Sequence, residues 1–185
     1  MPEKGQLHTN PITGDFYEFI ETAKDTNGKR VSIKATVKAK GQTVPNHIHV
    51  LQDETFEVIS GKLTIWQDGQ TTILYVGEKM TLPKNLPHNH FNGHNTPVTY
   101  IHSATPALDF DFLFENVIGL AADGKAPNGK YGLMQELVGL KYIDGKIFLA
   151  DMPIGIQKVM MELVGPIGRL LGYRAIYKKY SGIEK

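Results

Sequence analysis

Four side chains in two segments of this chain are of the types that bind transition metals. His47 and His49 are two residues apart, so on an extended strand their imidazoles leave the same face about 6 to 7 Å from each other. Glu54 follows in the same segment, and His88 comes from the second one. Three imidazoles and one carboxylate suit a divalent ion such as Fe, Mn, Ni, Co, Cu or Zn, with bonds of about 2.0 to 2.2 Å.

The His-x-His pair does not identify a metal site by itself. With seven histidines among 185 residues, about 0.3 such pairs are expected by chance. The surrounding residues add specificity, because the two segments resemble the two sequence motifs of the cupin superfamily. The first motif reads Gly-x5-His-x-His-x4-Glu-x6-Gly, where x is any residue. It is filled without departure by Gly41, His47, His49, Glu54 and Gly61.

The second segment resembles the second cupin motif, with one departure. Asn85 stands where the family usually has glycine, and asparagine is the next best residue for a left-handed backbone. Fifteen residues separate the two motifs, which is similar to the spacing in small microbial cupins. The other motif positions are filled by Gly77, Pro83, His88 and Asn92.

The resemblance covers about residues 10–105 and implies both a fold and a site. The fold is mainly β, the double-stranded β-helix or jelly-roll barrel of the cupins. A C-terminal helical extension after such a barrel is similar to one found in a subset of small bacterial cupins. The implied metal is held inside the barrel by His47, His49, Glu54 and His88.

Short strands with regular spacing fill residues 15–105, after an N-terminal arm over residues 1–14. Residues 31–39 alternate between apolar and polar side chains, which predicts a strand with Lys34 outward. The pair Asp68-Gly69 predicts a tight hairpin turn. The side chains expected to face the core from the alternating strand are Val31, Ile33, Ala35 and Val37.

Residues 106–185 change to helical spacing and predict an extension of three amphipathic helices. Asp109 is the expected cap of the first helix, the second covers about 131–141, and the third covers about 153–171 with an interruption at Gly165-Pro166. We expect the helices to pack on the barrel or on a second subunit of a homodimer. Contact with a lipid surface is the alternative. A membrane span would need about 20 consecutive apolar residues.

Composition narrows the classes of function. The net charge of +1 gives no electrostatic reason to expect nucleic acid as a partner. The absence of cysteine excludes disulfides, thiolate ligands and a thiol nucleophile. The first residues contain no apolar run after a basic region, which predicts a cytoplasmic protein without a signal peptide.

Other polar residues near the motifs are weaker candidates for the site. Asp53 and Glu57 are rival carboxylates, but Glu57 belongs to the opposite strand face and Asp53 needs a shorter loop. His90 lies two residues beyond His88, so it can face the same cavity and contact substrate or orient a ligand. A structural role at a strand edge is the alternative for His90. Surface or strand positions are expected for His94 and His102.

The predicted site admits several functions, because cupins share a fold and differ in chemistry. The first hypothesis is a metal-dependent dioxygenase, an oxidoreductase acting on a small molecule such as a flavonol or an enediol. Glu54 and His90 are then the candidate catalytic residues, with Glu54 also able to accept a proton. The alternatives are a redox-silent isomerase or lyase, a non-catalytic binding or sensor module for a small ligand, and a purely structural metal site.

Overall fold

A computed structural model describes residues 1–38, 40–41, 44–126 and 131–185. Within these residues the chain forms antiparallel strands followed by helices. The strands are β1 (Leu7–Thr9), β2 (Phe16–Glu21), β3 (Val31–Val37), β4 (His47–His49), β5 (Asp53–Ser60), β6 (Leu63–Gln67), β7 (Gln70–Leu74), β8 (Lys79–Leu82), β9 (His88–Phe91), β10 (Val98–Thr105) and β11 (Ile147–Leu149).

The strands build two sheets that pack face to face. In the described part of the chain, one sheet has the order β1-β2-β3-β10-β5-β8 and the other the order β11-β4-β9-β6-β7. Apolar side chains from both inner faces fill the space between them. This arrangement confirms the predicted mainly β, jelly-roll architecture. The largest buried cluster includes Phe56, Val58, Leu63, Ile65, Leu82 and Tyr100.

The predicted strand over residues 31–39 is observed as β3, and Ala39 lies outside the described residues. The hairpin prediction at Asp68-Gly69 is also confirmed. These two residues connect β6 to β7 with φ of +45° and +82°, the left-handed values that a tight hairpin turn requires. The alternation in β3 is confirmed too, because Lys34 is exposed and the expected inward side chains are all buried: Val31, Ile33, Ala35 and Val37. Ser32 on the opposite face is also buried, with its hydroxyl 2.9 Å from that of Ser103.

Two motif residues adopt backbone conformations that explain their identity. Gly61 has φ of +78°, and a Cβ there would lie 2.5 Å from the Pro97 carbonyl oxygen. Asn85 has φ of +68°, so the asparagine occupies a left-handed position as expected. The Asn85 N–H donates to the carbonyl oxygen of His49 at 2.7 Å. This turn therefore also holds the end of β4.

The helices follow the strands and are α1 (Phe110–Ala122), α2 (Leu133–Tyr142), α3 (Ile154–Leu170) and α4 (Lys178–Ser181). In the part of the chain that the structure describes, none of them combines the length and apolarity needed to cross a membrane. The predicted interruption at Pro166 is wrong, because α3 continues through it. A proline inside a helix costs about 3 kcal/mol, and packing of α3 against α2 offsets this cost.

Asp109 is the residue immediately before α1, in the capping position, but the expected side-chain cap does not form within the described residues. Its Oδ2 instead accepts hydrogen bonds from the Asp144 backbone N–H at 2.8 Å and from Lys185 Nζ at 3.2 Å. These tertiary donors compete with the helix N–H groups for the same oxygen. The carboxylate therefore ties the start of α1 to the segment before β11 and to the chain terminus.

The extension also contributes β11, a strand that the sequence does not predict. β11 pairs with β4, so that Ile147 lies opposite His49 and Leu149 opposite His47. Between them, the Phe148 ring is buried with Leu137 of α2 and Met161 of α3. The extension thus continues the sheet that carries two candidate metal ligands.

Candidate metal centre

The two sheets bring the four predicted ligands to one place. β4 carries His47 and His49, and β9 places His88 directly opposite His47. Glu54 comes from β5 in the facing sheet, where it shares the buried side of the strand with Phe56. All four lie in the barrel interior, and Glu54, His49 and His88 are almost completely buried.

Their ligand atoms are close enough to share one ion. One nitrogen from each imidazole and one oxygen of Glu54 all lie within 4.8 Å of one another. The shortest contact joins His88 Nε2 to Glu54 Oε2 at 2.9 Å. His49 Nε2 lies 3.6 Å from Glu54 Oε1, and His47 Nε2 lies 3.8 Å from Glu54 Oε2.

The opposite ring nitrogens are anchored, which sets the tautomer of each ligand histidine. An oxygen acceptor lies near every Nδ1, so Nδ1 is the donor and Nε2 keeps its lone pair toward the common centre. Metal-binding histidines are held in this way, with one ring nitrogen donating to an acceptor and the other left to bind the ion. The acceptors are Pro45 O for His47 at 2.9 Å, Leu86 O for His88 at 2.8 Å, and Gln52 Oε1 for His49 at 3.3 Å.

Gln52 is the one side chain among these acceptors, and its orientation is determined by the extension. Its Nε2 donates to the carbonyl oxygens of Pro106 and Ala107 at 2.9 and 3.0 Å, so its Oε1 must face His49. A Cβ on Gly145 would lie 2.5 Å from that Oε1. Glycine at 145 therefore leaves the space that Gln52 occupies.

The spacing and the donor types fit a first-row metal ion. Because His88 donates from Nδ1, the Nε2 of the neutral ring and Glu54 Oε2 would place two lone pairs 2.9 Å apart. Such a pair repels unless a proton or a metal ion binds it. Adjacent donors around an octahedral ion with bonds of about 2.1 Å lie about 3 Å apart. The four residues therefore meet the requirements of a divalent metal site.

Burial and neighbouring charges set the protonation of the ligands. Burial lowers the pKa of His49 to about 4. Burial would raise the pKa of Glu54, but the imidazoles of His49 and His102 outweigh it and hold this pKa well below 4.5. Burial also acts to lower the pKa of His47, yet the interaction with Glu54 raises it overall. Metals bind neutral imidazole and ionised carboxylate, so His49 and Glu54 are in the binding form at neutral pH, while protons compete with the metal at His47.

His102 is a site residue that the sequence-based prediction misses. It lies on β10, but it is buried rather than at the surface, and its Nε2 is 2.6 Å from Glu54 Oε1. The ring stacks on Phe56, with centroids 4.4 Å apart. A signal was present in the sequence, because period-two alternation in β10 groups His102 with the apolar residues Val98, Tyr100 and Ala104.

His90 lies next to the ligands without joining them. Its ring packs on Phe56 at 4.4 Å and near His102 at 5.2 Å between centroids. Burial, followed by the nearby His102, lowers the pKa of His90 well below 6.5, so the ring is neutral. Its Nδ1 is buried without a hydrogen-bond partner among the described residues. A catalytic role for His90 stays a prediction.

The rival carboxylates lie elsewhere. Asp53 Oδ1 accepts the backbone N–H of Lys84 at 2.8 Å. Glu57 lies 3.6 Å from Lys79 Nζ. Within the described residues, the cluster of potential metal ligands includes neither of them. Glu54 is therefore the carboxylate of the centre.

Comparison with known proteins agrees with this geometry. Residues 34–103 match the family model described as "Cupin domain". This chain carries a cupin domain. The matched segment includes the four candidate ligands and also Gln52 and His102, so the whole centre lies inside the cupin domain.

Several known proteins are similar to this cupin. Quercetin 2,3-dioxygenase of Bacillus subtilis (strain 168) is 30% identical over 80 residues, which are 43% of this chain and 23% of the relative. The match thus spans about a quarter of the relative's length. KdgF from a Halomonas species has a solved structure with 15% identity and a TM-score of 0.44, covering 50% of this chain and 79% of that one. A sugar phosphate isomerase from a cupin superfamily, from Silicibacter pomeroyi, has 15% identity and a TM-score of 0.46, covering 56% and 75%.

Proposed function

We propose that this cupin is a metal-dependent enzyme of the dioxygenase type, acting on a small organic molecule with one divalent ion per chain. One observation carries the proposal: three imidazoles anchored at Nδ1 converge with Glu54 on one point inside the barrel. The 30% identity to quercetin 2,3-dioxygenase supports oxygen chemistry among the reactions that such a centre allows. The substrate class that we propose is a flavonol or an enediol.

The residues of the centre have separable roles. His47, His49, His88 and Glu54 would hold the ion, which when bound supplies Lewis acidity and, if redox-active, electron transfer. Glu54 can accept a proton from substrate, because it is ionised at neutral pH. His102 holds Glu54 Oε1 in place through its Nε2.

Exposure suggests the direction from which substrate approaches. The His47 side chain is 13% exposed, whereas those of the other three ligands are 2% exposed or less. Val44, three residues before His47 in the chain, is also exposed. We infer that substrate reaches the centre past His47, and that the buried rings around Glu54 keep water from the opposite side.

Metal analysis tests the ligand assignment. We expect protein purified without chelator to carry about one equivalent of first-row metal per chain. The double variant His49→Ala, Glu54→Ala should lose it, whereas the control His94→Ala, Glu57→Ala should keep it. Full metal occupancy in the first double variant would reject the assignment.

Oxygen uptake tests the reaction type. Metal-free protein is loaded separately with Fe, Mn or Zn and supplied with flavonols and enediols. We expect substrate-dependent oxygen consumption with Fe or Mn, and none with the redox-silent Zn. If all three forms bind metal and none consumes oxygen with any of these substrates, the dioxygenase proposal is wrong while the metal site stands.

A further inference from the structure

Helix α3 exposes its apolar side to solvent. Five large aliphatic side chains form what we call the outer face of α3, and their exposed fractions run from 53 to 88%. An amphipathic helix in a globular protein normally turns such a face to the core. The residues of the outer face are Ile156, Val159, Leu163, Ile167 and Leu170.

The opposite side of α3 packs closely against α2, and this contact prevents α3 from rotating its outer face toward the core. Gly165 and Gly168 are buried against α2. A Cβ at Gly165 would lie 2.5 Å from Lys141 Cδ, and a Cβ at Gly168 would lie 2.4 Å from Val138 Cγ2. At Gly168 the neighbour is the short Val138 side chain, so a larger residue there would force the two helices apart, whereas at Gly165 the longer Lys141 side chain would have to move. The outer face therefore stays outward as long as α2 and α3 remain packed.

The spacing along the outer face is symmetrical. From Ile156 to Leu170 the steps are three, four, four and three residues, with Leu163 in the middle. A two-fold axis through Leu163 places Ile156 of one copy opposite Leu170 of the other, and Val159 opposite Ile167. An interface between identical subunits needs such self-complementarity. The pattern thus matches an antiparallel pair of α3 helices.

The area available is that of a specific interface. Five aliphatic residues with these exposures present about 600 Å² per copy, so that a dimer could bury at most about 1,200 Å² through them, the lower end of stable interfaces. Leu171, next in the chain and 66% exposed, adds to it. Exposed apolar patches of this size mark sites of interaction.

The charges around α3 favour a protein partner over a lipid surface. Helices that bind anionic membranes need free basic side chains beside the apolar face. Several basic side chains on α2, on α3 and in the segments after α3 are instead engaged within the chain. The ion pairs are Lys141 with Glu162 at 2.6 Å, Arg174 with Glu184 at 2.9 Å, and Lys179 with Asp123; Arg169 lies 4.7 Å from the Tyr142 ring centroid.

We propose that the outer face of α3 binds the same face of a second copy of this chain, forming a two-fold, antiparallel helix pair centred on Leu163. Each copy then removes its exposed aliphatic side chains from water. The interface lies on the C-terminal extension and leaves the metal centre of each copy inside its own barrel.

Cysteine cross-linking tests the register directly, because the chain has no cysteine. The axes of two packed helices lie about 8 to 10 Å apart. The Cα atoms that face each other across the contact are closer together than the axes, so they lie within the range of a disulfide. Under mild oxidation we expect Leu163→Cys to form a covalent dimer, and Ile156→Cys mixed with Leu170→Cys to form a mixed dimer. Ile156→Cys alone and the exposed control Val76→Cys should remain largely uncrosslinked. Self-linking of Ile156→Cys as fast as Leu163→Cys would overturn the antiparallel register.

Solution mass tests the assembly itself. We expect the unmodified protein to show twice the chain mass of 20.6 kDa by light scattering, Leu163→Glu to show one chain mass, and the control Val76→Glu to remain dimeric. Circular dichroism of Leu163→Glu should match the unmodified protein, since residue 163 is two-thirds exposed. A monomeric unmodified protein, or a dimeric Leu163→Glu, would overturn the proposal. Vesicle binding by a monomeric unmodified protein, lost in Leu163→Glu, would assign the face to lipid instead.

Discussion

Gln52 links the C-terminal extension to the metal centre, and its replacement by methionine is the sharpest test of that link. The side chain is 1% exposed and makes three hydrogen bonds. Methionine has a similar length and volume but neither donates nor strongly accepts hydrogen bonds. Gln52→Met therefore removes the contacts with Pro106, Ala107 and His49 without opening a large cavity.

The expected magnitudes follow from those contacts. Each hydrogen bond contributes about 1 kcal/mol net, so we expect the unfolding free energy of the metal-free protein to fall by about 3 kcal/mol. The loss is larger if the carbonyl oxygens of Pro106 and Ala107 stay buried without a donor. His49 also loses the acceptor that orients its ring. Loss of such a partner weakens metal binding about 10- to 100-fold, or about 1.4 to 2.8 kcal/mol.

Two measurements separate the effects, and the chain offers a matched control. Urea denaturation gives the stability of the metal-free protein, and calorimetric titration with Mn²⁺ or Zn²⁺ gives the metal affinity. Gln135 is also buried, donating to Arg174 O at 2.8 Å and accepting from the Tyr177 hydroxyl at 2.8 Å. Gln135→Met should lower stability by about 2 kcal/mol and leave the metal affinity unchanged. Equal metal affinities for Gln52→Met and the unmodified protein would refute the proposed role of Gln52.

Three further changes test other parts of the structure. His102→Phe should keep the stacking on Phe56 but weaken metal binding about 10-fold or more, because it releases Glu54. His102→Gln should recover part of this loss in the same calorimetric titration. Unchanged metal affinity in His102→Phe would contradict the role of His102. Phe148→Ala should lower the unfolding free energy by about 3 to 5 kcal/mol, because the ring is only 4% exposed and packs between β11 and the helices. A loss below about 1 kcal/mol in urea denaturation would show that β11 is not packed as described. Burial raises the pKa of Glu115 above 4.5, so the folded state binds a proton more tightly than the unfolded state and loses stability as pH rises from 4.5 through the folded pKa. Glu115→Gln lacks this titration, and its stability relative to the unmodified protein should therefore increase across that window in urea denaturation at successive pH values; a constant difference would contradict the raised pKa.

The ligand residues were predictable from the sequence because they are encoded locally. His47 and His49 share a strand face through the period of two, and Glu54 and His88 occupy fixed places in two recognisable motifs. Alternation in β3 and the left-handed turn residues Asn85 and Gly61 are local properties as well. Each depends on the backbone conformation of a few neighbouring residues, which sequence patterns record directly.

The surroundings of the ligands were decided by contacts between distant segments. Gln52 meets Ala107 across 55 residues, and His102 meets Glu54 across 48. No local pattern records such a pairing, because it depends on strand order and on where the extension returns to the barrel. The sequence by itself therefore determined which atoms are able to bind the metal, whereas only the tertiary structure decided which residues orient those atoms and which side of α3 remains open to a partner.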